Sequence, residues 1–475
     1  MLSLFILVPL AAVILLNILR GKIAGNAACA LGIFLSVVQA CVIILHILLP
    51  AAVPYVPFTF LASKLAADGL SVVMLLLTGI VTATSLMIGR NTFTDEEQKF
   101  NFANLVILTL AGMNGVLLVT DLFSLYVYIE IVAVASFILI TLYRDKPALE
   151  GAFKYIVLSV TASVFILLSI SVILLVSGDT SFSSIRSGFA NPANGLVFNI
   201  ALCCFACGLF TKGGLVPFHS WLPDAHSSAP TSVSILLSGI VIKVSGLYPL
   251  IRLVTLAGGG FARFNGVLLF IGIVSIYVGA LAALGQRDMK RMLAFSSVSQ
   301  MGYVVLSIGT GTTLGIIGAV FHLFNHAVFK SQLFANSAAV EKQTGTRDMD
   351  KLGGLAGRMP FTGGSSVVGM LSISGIPPLS GFWSKLIIII ALWQTAHYFC
   401  AFAAVIASVI TLAYFLSLQR RVFFGKIAKG LENIKEAKTG LVLPAVLLAL
   451  ITISVGLFFP FVLNKFIIPA GYILK

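Results

Sequence analysis

Fourteen apolar runs, each able to span a bilayer and parted only by short loops, constrain this chain more than any other feature. They lie at about 2–19, 23–49, 66–89, 102–119, 122–142, 151–177, 194–222, 230–251, 264–285, 292–309, 312–339, 361–391, 397–424 and 440–464. One helical crossing of the hydrocarbon core takes ~20 apolar residues. The chain is 59% hydrophobic and only 10% charged, with a mean hydropathy of +1.07, a balance foreign to ordinary soluble domains. The pattern predicts an all-α polytopic membrane protein of about 14 transmembrane helices, without an inserted soluble domain. The run 2–19 lacks a basic leader and a small-residue cleavage site, so it is expected to be a retained helix.

A net charge of +14 would suggest nucleic acid in a soluble chain. Here the bases cluster in alternate loops, so no nucleic-acid partner is expected. Nineteen Lys and Arg follow or end odd-numbered runs, from Arg20 and Lys22 through Arg287, Lys290 and Arg291 to Lys438. Six occupy even-numbered exits and the tail. Cytoplasmic loops carry the excess of bases, so odd exits are expected in the cytoplasm and both termini outside, in a cell membrane.

Charges inside the runs point to function. Glu130, Lys212, Lys243, Lys330 and Lys385 lie mid-run. Each would cost ~2.5–3.5 kcal/mol facing lipid at the bilayer centre, so they are expected to face protein or water and to mark an ion path. Lys154, three residues into its run, can reach the interface as an anchor.

Two runs contain breaks beside these lysines. Run 12 holds Gly375, Pro377 and Pro378, and its 31 residues are too many for one straight crossing. Run 7 holds Gly213, Gly214 and Pro217 next to Lys212. Proline removes a backbone donor and breaks helix, and unwound backbone at membrane depth requires surrounding protein or water. Runs 7 and 12 cross in opposite directions, which predicts two inverted five-helix repeats. The expected division is 1–100 (helices 1–3), 101–252 (first repeat), 253–424 (second repeat) and 425–475 (helix 14 and tail).

Burial lowers a lysine's proton affinity and a nearby carboxylate restores it. Glu130 with Lys212 is therefore an adjustable proton-holding pair. His322, His326 and Lys330 recur at i, i+4 and i+8 and fall on one helix face. Histidine exchanges protons near neutral pH, so these three suit a relay; no third ligand completes a metal site. His219, Asp224 and His226 lie around the end of run 7, at an intake point or a re-entrant turn. Cys204 and Cys207 form a CxxC inside an apolar run and read as buried small hydrophobes. No dinucleotide, Walker, haem or iron–sulfur pattern occurs, so no cofactor is expected in this chain.

Three segments carry a family resemblance: TKGGLVPFHSWLPDAHSSAPTSVSILLSGIVIKVSGLYPLIR (211–252), FHLFNHAVFKSQLF (321–334) and GIPPLSGFWSK (375–385). Together they resemble the antiporter-like subunits of respiratory complex I, with relatives in Mrp-type sodium/proton antiporters and in membrane-bound hydrogenase and formate hydrogenlyase complexes. The resemblance implies a fourteen-helix fold with a central hydrophilic axis. It implies that Glu130 is the helix-5 glutamate, Lys212 the helix-7 lysine and Lys243 the helix-8 lysine. Lys385 ends the second broken helix, where some relatives carry glutamate. The short tail and the lysine at 243 differ from the longest complex I type, which has a lateral C-terminal helix. The resulting expectation is a cofactor-free, proton-translocating subunit of a redox-driven complex, with a hydrogenase or NADH-oxidising module among its partners. The alternative is a subunit of a multi-chain Mrp-type antiporter driven by an existing gradient.

Overall fold

The computed structural model describes all residues except 1, 22, 50–57, 61–62, 190–194, 259–261, 263 and 472–475. Its helices are α1 Leu4–Ile18, α2 Gly25–Leu48, α3 Gly69–Thr92, α4 Glu96–Leu118, α5 Leu122–Ile140, α6 Lys146–Ser177 and α7 Phe182–Phe189. Then follow α8 Gly195–Lys212, α9 Trp221–Ser228, α10 Thr231–Leu236, α11 Tyr248–Ala257, α12 Asn265–Leu284, α13 Met289–Ile308 and α14 Thr313–Thr344. The last are α15 Pro360–Ser374, α16 Ser380–Gln394, α17 Tyr398–Val422, α18 Thr439–Leu457, α19 Phe459–Val462 and α20 Ile468–Gly471. Two π-helical turns, Leu237–Val241 and Lys243–Leu247, join α10 to α11. A small antiparallel hairpin, β1 Phe58–Phe60 with β2 Ser63–Leu65, is the only sheet among the described residues.

Apolar composition makes these segments helical, and polar punctuation sets their ends. Asp68, Asp95, Asp121, Asp145 and Asp288 each accept a hydrogen bond from backbone N–H groups at the first turn of α3, α4, α5, α6 and α13. A carboxylate there satisfies donors that the helix leaves open and complements the helix dipole.

Among the described residues, eleven helices are long and apolar enough to cross a membrane, and α1, α16 and the α19–α20 segment are shorter apolar helices. The chain is thus a multi-pass membrane protein. Helix α13 satisfies neither description because Ser296, Ser297, Ser299 and Gln300 dilute its hydropathy, yet all four are fully buried. The apolar window of α10–α11 is 100% buried and those of α3 and α14 are 89% buried, against 33% for α6. The central helices are therefore enclosed by protein. Helices α2, α6, α12 and α17 line the periphery and expose Phe34, Phe153, Phe270 and Phe399 outward. Close packing needs small residues: a Cβ at Gly279 or Gly302 would meet the facing backbone of α13 or α12 at 2.5 or 2.7 Å.

At one end of the core, Arg252 of α11 donates to both carboxylate oxygens of Asp68 and to Ser71 Oγ. Tyr248 Oη donates to the Leu117 carbonyl at 2.9 Å. This bidentate pair ties α11 to the start of α3. Burial alone would raise the Asp68 carboxyl, but the Arg252 guanidinium outweighs it and holds the group below its ordinary value.

Candidate functional site

Helix α8 ends at Lys212, and the chain runs irregularly to α9. Gly214 takes a left-handed φ of +67°, and Trp221 Nε1 donates to the Thr211 carbonyl at 2.9 Å, satisfying a group that the break frees. Lys212 Nζ meets Glu130 Oε1 of α5 at 3.1 Å and Ser159 Oγ of α6 at 3.2 Å. Ser163 Oγ donates to the same carboxylate oxygen at 2.6 Å. Tyr155, Ser159, Thr211, Lys212, Trp221 and Ser245 line a small cavity beside the pair.

Lys243 is fully buried in the π-helical stretch, and its Nζ donates to the Ser238 carbonyl at 2.6 Å. The break after α8 lies against this stretch, since a Cβ on Gly246 would come within 2.6 Å of Gly213. Lys330 of α14 is also fully buried and donates to the Leu293 carbonyl at 2.6 Å and to Ser296 Oγ. Among the described residues neither lysine has a carboxylate partner, so each relies on neutral oxygens.

The second break separates α15 from α16. Gly375 has φ +83°, and a Cβ there would stand 3.1 Å from the Lys385 side chain. Asn325 of α14 donates to the Ser380 carbonyl at 2.9 Å, and Gly381 N donates to Ser372 Oγ at 3.1 Å. Pro377 and Pro378 occupy the unwound turn. Lys385 Nζ lies 4.7 Å from the centre of the Tyr303 ring and donates to Ser408 Oγ at 3.3 Å. His322 Nδ1 is 3.0 Å from Ser384 Oγ, and its ring packs on the same Tyr303 at 5.8 Å. The helix face carrying His322, His326 and Lys330 is thus enclosed, with His322 beside Lys385.

The residues after the first break do not form one cluster. Asp224 pairs with Lys154 at 2.8 Å and Arg291 at 2.9 Å, making an ionic junction of α9, α6 and α13. Lys154, expected as an interfacial anchor, is part of that junction and also pairs with Glu150. His226 is fully buried and stacks on Phe334 at 5.2 Å, whereas His219 is half-buried. No hydrogen bond joins His219, Asp224 and His226 among the described residues.

Two expectations need correction. Cys203 is exposed and Cys204 and Cys207 are half-buried, because that face of α8 looks out of the bundle; no group of three metal-ligating side chains occurs among the described residues. Lys290 reads as a loop base in the sequence, yet it is 1% exposed. Tyr303, Ser408 and Ser296 also escape sequence reasoning. The one available signal was the polar run 296–300 within an otherwise apolar segment.

The family model described as "NADH:quinone oxidoreductase/Mrp antiporter, TM" matches residues 119–411. The chain is 33% identical to a Na(+)/H(+) antiporter subunit from Alkalihalophilus pseudofirmus over 394 residues, covering 82% of this chain and 80% of that protein. It is 33% identical to an NAD(P)H-quinone oxidoreductase chain 4 of a Picosynechococcus strain over 414 residues, covering 85% and 77%. A chain in the structure of the Mrp complex from a Dietzia strain superposes with a TM-score of 0.91 over 100% of this chain and 97% of that one; at 22% identity this likeness speaks to fold alone. With the family model matching more than half of its length and relatives this similar along most of theirs, the chain belongs to the membrane-subunit family shared by NADH:quinone oxidoreductases and Mrp antiporters.

Proposed function

We propose that this chain translocates protons as one subunit of a multi-chain membrane complex, without a redox centre of its own. The observation that carries this reading is the buried row of titratable groups joined to the Glu130–Lys212 pair. A proton held on Lys212 is stabilised by Glu130; withdrawing the carboxylate's influence makes the lysine release it. The proton then passes by way of Lys243 to His322, His326 and Lys330, and leaves through Lys385. His219, Asp224 and His226 lie at the intake end.

Fourteen crossings are the reading we favour, with α8–α9, α10–α11 and α15–α16 each counted once. Two inverted repeats, 101–252 and 253–424, are flanked by 1–100 and 425–475, with both termini outside. Support comes from the matched breaks: each has a glycine of positive φ and a proline, Gly214 and Pro217 just after Lys212 and Gly375 and Pro378 about two to three helical turns before Lys385.

For the driving force we infer a redox-driven complex, as the name of the quinone oxidoreductase relative suggests. A gradient-driven sodium/proton antiporter is the second reading, favoured by the equal identity to the Alkalihalophilus antiporter protein. Mild solubilisation of the native complex followed by mass spectrometry of every co-purifying chain separates them. Iron–sulfur, hydrogenase or NADH-oxidising partners support the first, and small hydrophobic partners alone support the second.

A further inference from the structure

The row of buried bases has a member that its neighbours in the sequence conceal. Lys290 is the second residue of α13 and follows Arg287 in a basic loop. Its side chain is nevertheless enclosed, and its Nζ donates to the carbonyl of Ala229, the residue that caps the C-terminus of α9. None of the ion pairs among the described residues includes it. An enclosed ammonium in no direct ion pair is expensive, and a neutral amide or hydroxyl would supply the same carbonyl with a donor at lower cost.

The surroundings of Lys290 connect two regions. On one side, Thr231 Oγ1 donates to Glu341 Oε2 at 2.7 Å, two residues beyond Ala229. Glu341 is 37% exposed and pairs with Arg347 at 3.5 Å, and Arg347 also pairs with Asp288 at 3.3 Å. On the other side, His226 lies one helical turn before Ala229, fully enclosed, with neither ring nitrogen partnered by protein. The Phe334 ring stacks on His226, and the same ring lies 6.0 Å from Lys330 Nζ. The contacts run from the partly exposed Glu341 to Thr231, from the nearby Ala229 to Lys290, and from His226 through Phe334 to Lys330.

We propose that Lys290 is a proton-carrying residue at the intake end of the row, delivering protons from the Glu341 cluster to His226 and so to Lys330. This rests on the proton-translocating function proposed above. In each transfer an N–H bond of the Lys290 ammonium breaks and its electron pair stays on Nζ. Water carries the proton to the unprotonated ring nitrogen of His226, where a new N–H bond forms. The other ring nitrogen releases its proton towards Lys330, and Nζ is reprotonated from the Glu341 side. Phe334 contacts both inner groups.

Lys290→Gln in the intact complex keeps a donor for the Ala229 carbonyl but cannot carry a proton. We expect proton flux in reconstituted vesicles to fall about a hundredfold or more, the range for loss of a positioned proton-transfer group, with assembly unchanged. Lys290→His should recover part of the flux with its optimum moved to lower pH, because imidazole titrates well below an amine. The groups facing position 290 that share this response are His226 on α9, Lys330 and Glu341 on α14, Asp288 before α13, and Arg347. Wild-type flux in Lys290→Gln would overturn the proposal and leave Lys290 a structural donor. If Lys290→Gln fails to assemble, the pH profile of Lys290→His decides, and an unshifted profile overturns it. Glu130→Gln, measured in parallel, distinguishes the failures: undiminished flux there removes the proposed function itself, whereas lost flux there with normal Lys290 variants removes only this inference.

Discussion

Glu130 and Lys212 meet at 3.1 Å with unequal access to their surroundings: the lysine side chain is 4% exposed and the glutamate 30%. The acid stands at the edge of the bundle and the base inside it. A change of charge outside this chain would therefore be felt more directly at Glu130 than at Lys212. Ser163 and Ser159 hold the pair by one hydrogen bond each, so the contact is fixed in place without being sealed from its neighbours.

Replacing Glu130 by glutamine keeps the side chain's volume and removes its charge. Coupled ion transport in reconstituted vesicles should fall about a hundredfold or more, the scale expected when a proton-transfer group is lost. The complex should still assemble, because Lys212 can lose its proton instead of standing charged and unpaired. Wild-type transport by this variant would exclude the pair from the mechanism.

Lys385→Met should block proton exit. The methionine fills the space beside Tyr303 but supplies no proton site and no donor to Ser408. Proton flux measured with a pH-sensitive dye inside vesicles is the check, and an unchanged rate would take Lys385 off the path.

Tyr303 packs against both His322 and Lys385, and its hydroxyl donates to the Ala404 carbonyl at 2.6 Å. Tyr303→Phe keeps the ring and should cost about 1 kcal/mol of stability, the usual net value of one hydrogen bond. Tyr303→Leu removes the ring's electrostatic hold on the Lys385 ammonium as well. We expect a small drop in thermal midpoint for the phenylalanine variant and a marked loss of flux only for leucine. Equal flux in both would show that the ring does not position Lys385.

The Asp68–Arg252 pair makes a prediction about acid. Asp68 titrates below its ordinary value in the folded protein because Arg252 favours its charged form. A depressed carboxylate contributes stability above its unfolded value and loses it as pH falls through the folded one. Wild-type protein should therefore lose this contribution below about pH 4, and Asp68→Asn should lack that part of the decline. Identical acid unfolding curves for the two would refute the assignment.

Individual residues show how far the sequence could be read. Lys212, Lys243, Lys330 and Lys385 were legible because a charge inside a long apolar run is costly wherever the helix packs, so each had to lie inside protein. The ends of α8 at Lys212 and of α15 at Ser374 fall just before Gly213–Pro217 and Gly375–Pro378, whose backbone limits are local. Lys290 was not, since a lysine at the edge of a run next to two arginines fits a loop equally well. Asp224 and His226 are two residues apart in the sequence, yet the turn of α9 sends one to Lys154 and Arg291 and the other to Phe334.

The sequence by itself thus determined a multi-pass helical protein with buried bases and with backbone-restricting residues beside Lys212 and at 375–378. Those properties follow from transfer costs and backbone restrictions that act residue by residue. Only the tertiary structure decided which partner each base has: Glu130 for Lys212, the Leu293 carbonyl for Lys330, Tyr303 and Ser408 for Lys385, and the Ala229 carbonyl for Lys290. Those pairings depend on which helix faces meet, and facing is fixed by close packing among helices distant in the chain, a property no single run carries.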